Sequence, residues 1–121
     1  MKKITKKVNI LHPNQQLKLF GYQKYFSLFV NLYEKNKLPQ ILLLSGLKGL
    51  GKSTFVYHFI NYLFSKNEKE QYLSDENLIN KNNSSFKMLS LGIHPNIYCI
   101  GNSQQEKSIN IEEIRKLLSF L

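Results

Sequence analysis

Residues 41–54 read ILLLSGLKGLGKST, and this stretch decides the fold. Its first four residues form a continuous apolar run between Pro39 and Gly46, which is typical of a strand buried on both faces of a parallel sheet. Residues 46–53 match the phosphate-binding loop pattern of glycine, four variable residues, glycine, lysine, and serine or threonine. Apolar residues then recur at helical spacing and predict a helix from Lys52 to about Ser65. The stretch therefore predicts a strand, a phosphate loop and a helix in succession.

Each part of this loop has a chemical purpose. The glycines let the backbone curl so that successive N–H groups point at phosphate oxygens, and the helix N-terminus adds favourable partial charge. Lys52 is expected to neutralise the β- and γ-phosphates, Ser53 to coordinate a bridging Mg²⁺, and Thr54 to lie beside the α-phosphate. The predicted site for a purine nucleotide, with ATP the expected ligand, comprises Gly46, Leu47, Lys48, Gly49, Leu50, Gly51, Lys52, Ser53 and Thr54.

Residues for nucleotide hydrolysis are not evident in the sequence. P-loop enzymes also need an acidic residue at the end of another strand. Asp75 is the only aspartate and lies in a polar stretch, while the second predicted strand, residues 96–100, is followed by Gly101. We therefore predict nucleotide binding without an identified catalytic residue, and enzymatic activity stays open.

The histidines and the single cysteine show no pattern of a catalytic or metal site. His12, His58 and His94 lack metal-ligand spacing, so we interpret them as structural, with His58 on the polar side of the loop helix. Cys99 excludes a disulfide within the chain and is predicted to fill the core.

The rest of the chain is predicted to form one domain, residues 1–121, with a basic start at 1–10 and a polar insertion at 66–92. An apolar face at three-and-four spacing predicts a helix from Tyr22 that ends before Pro39. Within the insertion, the apolar residues between 73 and 79 indicate a short helix, and residues 82–85 a loop. Asn110 with Glu113 resembles a capping box that opens a last helix. Because the apolar pattern of that helix runs to Leu121, we expect a truncated chain, marginally stable in isolation.

The charge of the chain is compatible with nucleic acid but does not require it. The net charge is +9, with six lysines and no acid among residues 1–24. Such a charge attracts phosphate backbones, although lysines spread over the whole chain would equally form solvated basic faces. The basic start lacks the apolar region of a signal peptide, and no apolar run approaches the roughly 18 residues of a membrane span. We therefore expect a soluble, cytoplasmic protein without a membrane partner.

An ordered series of short motifs resembles the N-terminal part of the delta-prime subunits of the bacterial DNA polymerase III clamp loader. The series covers nearly the whole chain and is more specific than the phosphate loop alone. Its members are His12-Pro13, Leu19-Phe20-Gly21-Tyr22, Lys37-Leu38-Pro39-Gln40, Gly49-Leu50-Gly51-Lys52-Ser53-Thr54-Phe55-Val56-Tyr57, His94-Pro95-Asn96, Ser108-Ile109-Asn110-Ile111 and Ile114-Arg115.

The resemblance implies an AAA+ P-loop NTPase, a three-layer α/β/α fold with a parallel sheet, of which this chain would be the incomplete N-terminal portion. It implies ATP and Mg²⁺ as cofactors, with residues 11–22 lining the adenine pocket. The implied partners are the other clamp-loader subunits, the sliding clamp and primed DNA, and the implied role is ATP-dependent clamp loading, largely as a stator. Many members carry a four-cysteine zinc module where this chain has residues 83–93 without cysteine, so no zinc is expected.

Two other P-loop proteins stay open as alternatives. One is a different AAA+ ATPase that acts in DNA repair or recombination. The other is a small phosphotransferase kinase, against which the sequence counts because Arg115 is the only arginine available to clamp a transferred phosphoryl group.

Overall fold

The structure is a computed structural model that describes residues 11–100 and 111–121. Its helices are α1 (Gln23–Glu34), α2 (Lys52–Phe64), α3 (Ser84–Ser90) and α4 (Ile111–Phe120), preceded by a short 3-10 helix at Pro13–Gln15. The helices predicted after Tyr22 and after the phosphate loop are thus present. The basic start at 1–10 and the proposed cap Asn110 lie outside the described residues.

The end of α1 follows from one residue in the left-handed region. Asn36 has φ 56°, and its N–H donates to the carbonyl of Tyr33 while the next N–H, of Lys37, donates to the carbonyl of Leu32. This pair of bonds is the Schellman arrangement, which satisfies the last carbonyls of a helix. The chain then turns toward Pro39 and the apolar run.

The apolar run 41–44 shows the alternation of a strand without a strand partner among the described residues. Ile41 and Leu43 are 89% and 90% exposed, whereas Leu42 and Leu44 line a cavity against α2. Pairing in the described parts of the chain is limited to isolated antiparallel bridges, Lys18 with Leu78 and Leu73 with Leu78. The parallel sheet, including the strand at 96–100, therefore stays a prediction.

The core lies between α1, α2 and the segments around residues 19 and 72–79. Its buried members are Leu19, Phe26, Phe55, Phe59, Tyr72 and Ile79. The Phe26 ring is central, since it meets Phe55 and Phe59 edge-on at 6.1 Å each and stacks on Tyr72 at 5.2 Å. Burial of one such ring contributes about 1.5–3 kcal/mol, so this aromatic cluster fixes α1 on α2.

The polar insertion differs from its prediction. Residues 74–77 form a turn, closed by reciprocal backbone bonds between Leu73 and Leu78 of 2.9 and 3.2 Å, so the predicted short helix there is wrong. The predicted loop at 82–85 is present only at 82 and 83, because α3 begins at Ser84. Asn83 caps α3 by accepting from the N–H of Phe86 at 2.7 Å.

The polar side of α2, on which the sequence puts His58, is buried. His58 and Asn61 are both 0% exposed. The two imidazole nitrogens lie 2.8 Å from the Tyr72 hydroxyl and 2.8 Å from the Gln16 carbonyl, while the Asn61 amide exchanges bonds of 3.1 and 3.0 Å with Asn83. Burial here is possible because each polar group has a partner.

The end of the described chain is exposed, and this contradicts the predicted burial of Cys99. The apolar face of α4 is largely open to solvent, and α4 contacts residue Tyr98 through the ring of Phe120 at 5.2 Å. Cys99 is exposed rather than in the core, and its thiol lies 3.4 Å from the Tyr57 hydroxyl. None of the described helices is long and apolar enough to cross a membrane.

Candidate phosphate-binding site

The predicted phosphate loop is a tight bend between the apolar run and α2. Its three glycines have positive φ, with Gly49 at 87° and Gly51 at 83° in the left-handed region that L side chains avoid. Gly51 is the N-cap of α2, and its carbonyl accepts the first helical bond, from the N–H of Phe55 at 3.0 Å. The glycine spacing in the sequence thus corresponds to the backbone angles that this bend requires.

The Lys52 amine folds back over the start of the loop. Its Nζ atom donates to the carbonyls of Gly46 at 2.6 Å and Leu47 at 2.9 Å. The ammonium therefore lies at the mouth of the bend, where a bound anion would meet it.

The first turn of α2 presents unpaired backbone donors. The N–H groups of Lys52, Ser53 and Thr54 precede the first intrahelical bond, so by helix geometry they are free to bind an external acceptor. The helix macrodipole adds partial positive charge at the same place. The Ser53 hydroxyl is exposed and Thr54 half-buried on this turn.

Two cavities flank the loop. One, of about 270 Å³, lies between the loop residues Gly49–Gly51 with Thr54 and the segment 16–22. The resemblance implies an adenine pocket at residues 11–22, and the later part of this segment, residues 16–22, does lie beside the loop. The other cavity, of about 370 Å³, is lined by Lys52, Ser45 and Leu44 together with aromatic residues of α1 and α2.

Tyr22 lines both cavities, as does Leu50. Its hydroxyl donates to the carbonyl of Leu50, and its ring lies 5.8 Å from the ring of Phe55, edge-on. The sequence placed Tyr22 on the apolar face of the first helix and in the adenine segment. The hydroxyl contact has no signal in the sequence, because it joins residues 28 positions apart across two elements.

The other candidate residues lie away from the loop. Asp75 is in the exposed turn 74–77 and is not among the residues that line either cavity. His94 is 7% exposed, packs on Phe64 at 4.8 Å and accepts from the N–H of Asn96, and its structural role stays a prediction. Among the described residues, no three histidine, cysteine or acidic side chains are grouped to hold a metal ion.

Comparison with known proteins gives one family. The family model described as DNA polymerase III, delta subunit, matches residues 21–121, a span that includes α1, the phosphate loop and all later elements. No curated protein and no solved structure matches the chain significantly. Because the match covers more than four-fifths of the sequence, the chain belongs to the DNA polymerase III delta subunit family, with a role in the clamp-loader complex of that polymerase.

Proposed function

We propose that this chain is the nucleotide-binding part of a delta-prime clamp-loader subunit, which binds ATP with Mg²⁺ and takes part in ATP-dependent loading of the sliding clamp. The family match supports the clamp-loader role, and the ordered motifs support delta prime within it. The same match favours this assignment over a repair ATPase or a small kinase.

The observation that carries the nucleotide proposal is the position of the Lys52 amine. It is held by two carbonyls at 2.6 and 2.9 Å at the N-terminus of α2. A phosphate oxygen carries a negative charge and a carbonyl oxygen does not, so a phosphate adds ion-pair attraction to the hydrogen bond that the ammonium makes. Nucleotide phosphates would therefore draw the amine from the carbonyls without a rearrangement of the helix.

The remaining parts of the nucleotide fit the same arrangement. The free N–H groups of residues 52–54 would bind phosphate oxygens, and the exposed Ser53 hydroxyl would hold Mg²⁺, which neutralises the phosphate charge. The base would enter the cavity of about 270 Å³ against the segment 16–22. Residues 41–44 would then be a strand of the parallel three-layer sheet of an AAA+ domain.

The proposal concerns binding and assembly rather than catalysis. Asp75, the only aspartate, is outside both cavities beside the loop. We therefore propose a subunit that binds nucleotide and works with the other clamp-loader subunits, the clamp and primed DNA in the cytoplasm, without a catalytic residue assigned here.

The test is calorimetric titration of the complete protein with Mg-ATP. Lys52→Ala is expected to abolish measurable binding, because it removes the ammonium that lies against the Gly46 and Leu47 carbonyls at the mouth of the loop. The matched control is Lys24→Ala, which removes the same charge from the exposed side of α1 and should leave binding unchanged. Equal affinities for wild type and Lys52→Ala would refute the proposal.

A further inference from the structure

The peptide unit between Leu50 and Gly51 is held by a side chain from outside the loop. The Tyr22 hydroxyl donates to the Leu50 carbonyl, and the Tyr22 ring lies against Gly51, where an added Cβ would be 3.6 Å from Cε2. This contact comes from the residue that caps α1, at the start of a different helix.

The planarity of the peptide gives this contact a consequence inside the loop. In a trans peptide the C=O and the following N–H point in opposite directions. With the Leu50 carbonyl directed out of the loop toward Tyr22, the N–H of Gly51 is directed away from Tyr22. That N–H immediately precedes the free donors of the first turn of α2 and extends their row by one.

Among residues 11–100 and 111–121, little else fixes this peptide. Gly49 and Gly51 flank Leu50, and glycine permits rotations that other residues resist. The Leu50 side chain is 51% exposed, so packing constrains it weakly. Rotation of the peptide by about half a turn would replace the donor with a carbonyl oxygen, which repels an anion.

Tyr22 is itself well fixed. Its carbonyl accepts from the N–H of Phe26 at 2.9 Å, which is the first bond of α1, and its ring meets Phe55 edge-on. The hydrogen bond from the Tyr22 hydroxyl therefore fixes the loop relative to the core between α1 and α2.

We propose that Tyr22 is a positioning residue for the phosphate site, which keeps the Gly51 N–H directed at a bound phosphate through its bond to the Leu50 carbonyl. The inference rests on the proposed nucleotide binding and adds the residue that organises the loop. The ligand class is a polyphosphate anion, with or without a base attached.

The experiment compares Mg-ATP and inorganic tripolyphosphate on the complete protein with Tyr22→Phe, which removes the hydroxyl and keeps the ring. One hydrogen bond corresponds to about a three- to tenfold change in affinity, so both ligands are expected to bind that much more weakly, by the same factor. The control is Tyr33→Phe, the same substitution on α1 at a ring that packs on Tyr62, which should leave both affinities unchanged. In nuclear magnetic resonance spectra, tripolyphosphate should shift the Gly51 amide of wild type more than that of Tyr22→Phe.

The outcomes separate this inference from the proposed function. If Tyr22→Phe binds both ligands with unchanged affinity while Lys52→Ala binds neither, the role of Tyr22 is overturned and the proposed nucleotide binding stands. Weaker ATP binding with unchanged tripolyphosphate binding would also overturn it, because the hydroxyl would then act on the base. Failure of wild type to bind either ligand would overturn both proposals.

Discussion

His58 makes the stability of the fold depend on pH in a window that the structure defines. The buried imidazole donates from Nε2 to the Gln16 carbonyl, which can only accept, so Nδ1 accepts from the Tyr72 hydroxyl. The pKa of His58 is lowered from 6.5 to about 4, chiefly by burial; the Gln16 bond acts against this shift, and the charge of Lys18 acts with it. Burial also raises the pKa of Tyr72, so its hydroxyl stays a donor.

The sign of the effect follows from proton uptake. Between pH 6.5 and about 4 the unfolded chain binds a proton at His58 and the folded chain does not, so the free energy of unfolding falls as pH falls through this window. Between pH 7.5 and 5.0, His58 lowers the free energy of unfolding by about 2 kcal/mol. The complete pKa shift of His58 corresponds to about 3 kcal/mol. Below about pH 4 no further loss from His58 is expected.

The assay is urea unfolding of wild type, His58→Gln and His12→Gln at pH 7.5 and 5.0. Glutamine offers an acceptor and a donor but does not titrate, so His58→Gln should lose about 2 kcal/mol less than wild type between the two pH values. His12 is exposed, and its replacement should leave the loss as in wild type. Parallel losses in wild type and His58→Gln would refute the reasoning.

Other predictions concern the core and the loop. Asn61→Leu removes the side-chain partner of the Asn83 amide, which is 1% exposed. This substitution should lower the free energy of unfolding in urea by about 1–3 kcal/mol. An unchanged free energy would contradict the buried Asn61–Asn83 pair. Phe26→Ala should cost about 3–5 kcal/mol in the same assay, whereas Phe20→Ala, at a ring 69% exposed, should cost far less, and similar costs would contradict the assigned core. Gly51→Ala should lower the thermal midpoint, since φ 83° costs an L residue about 1–2 kcal/mol, and an unaltered midpoint would argue against this loop conformation.

The conformation of the phosphate loop was easier to predict from the sequence than the packing of the segments around it. Glycines, a lysine and a serine at fixed spacing require one local backbone shape, so the bend and the start of α2 at Lys52 were predictable from residues close in sequence. The position of His58 on the polar side of the helix was predictable, but its burial was not, because its partners Gln16 and Tyr72 come from elsewhere in the chain. Asn83 did carry a local signal as a helix cap, but the polar composition around it favoured a loop.

The segment 16–22 is anchored at both ends, and the two anchors should serve different parts of a bound nucleotide. His58 holds the Gln16 carbonyl at 2.8 Å, and Tyr22 holds the Leu50 carbonyl. The first anchor fixes the wall of the cavity proposed for the base. His58→Leu should therefore weaken the binding of Mg-ATP by about two- to tenfold and leave the binding of tripolyphosphate unchanged. Tyr22→Phe, by contrast, is expected to weaken the binding of both ligands equally. His58→Gln, which can still donate to Gln16, is the matched control and should bind ATP as wild type does, measured at pH 7.5 on samples with unchanged helical circular dichroism. Equal losses of ATP and tripolyphosphate in His58→Leu would mean that the buried histidine supports the whole loop rather than one wall of it.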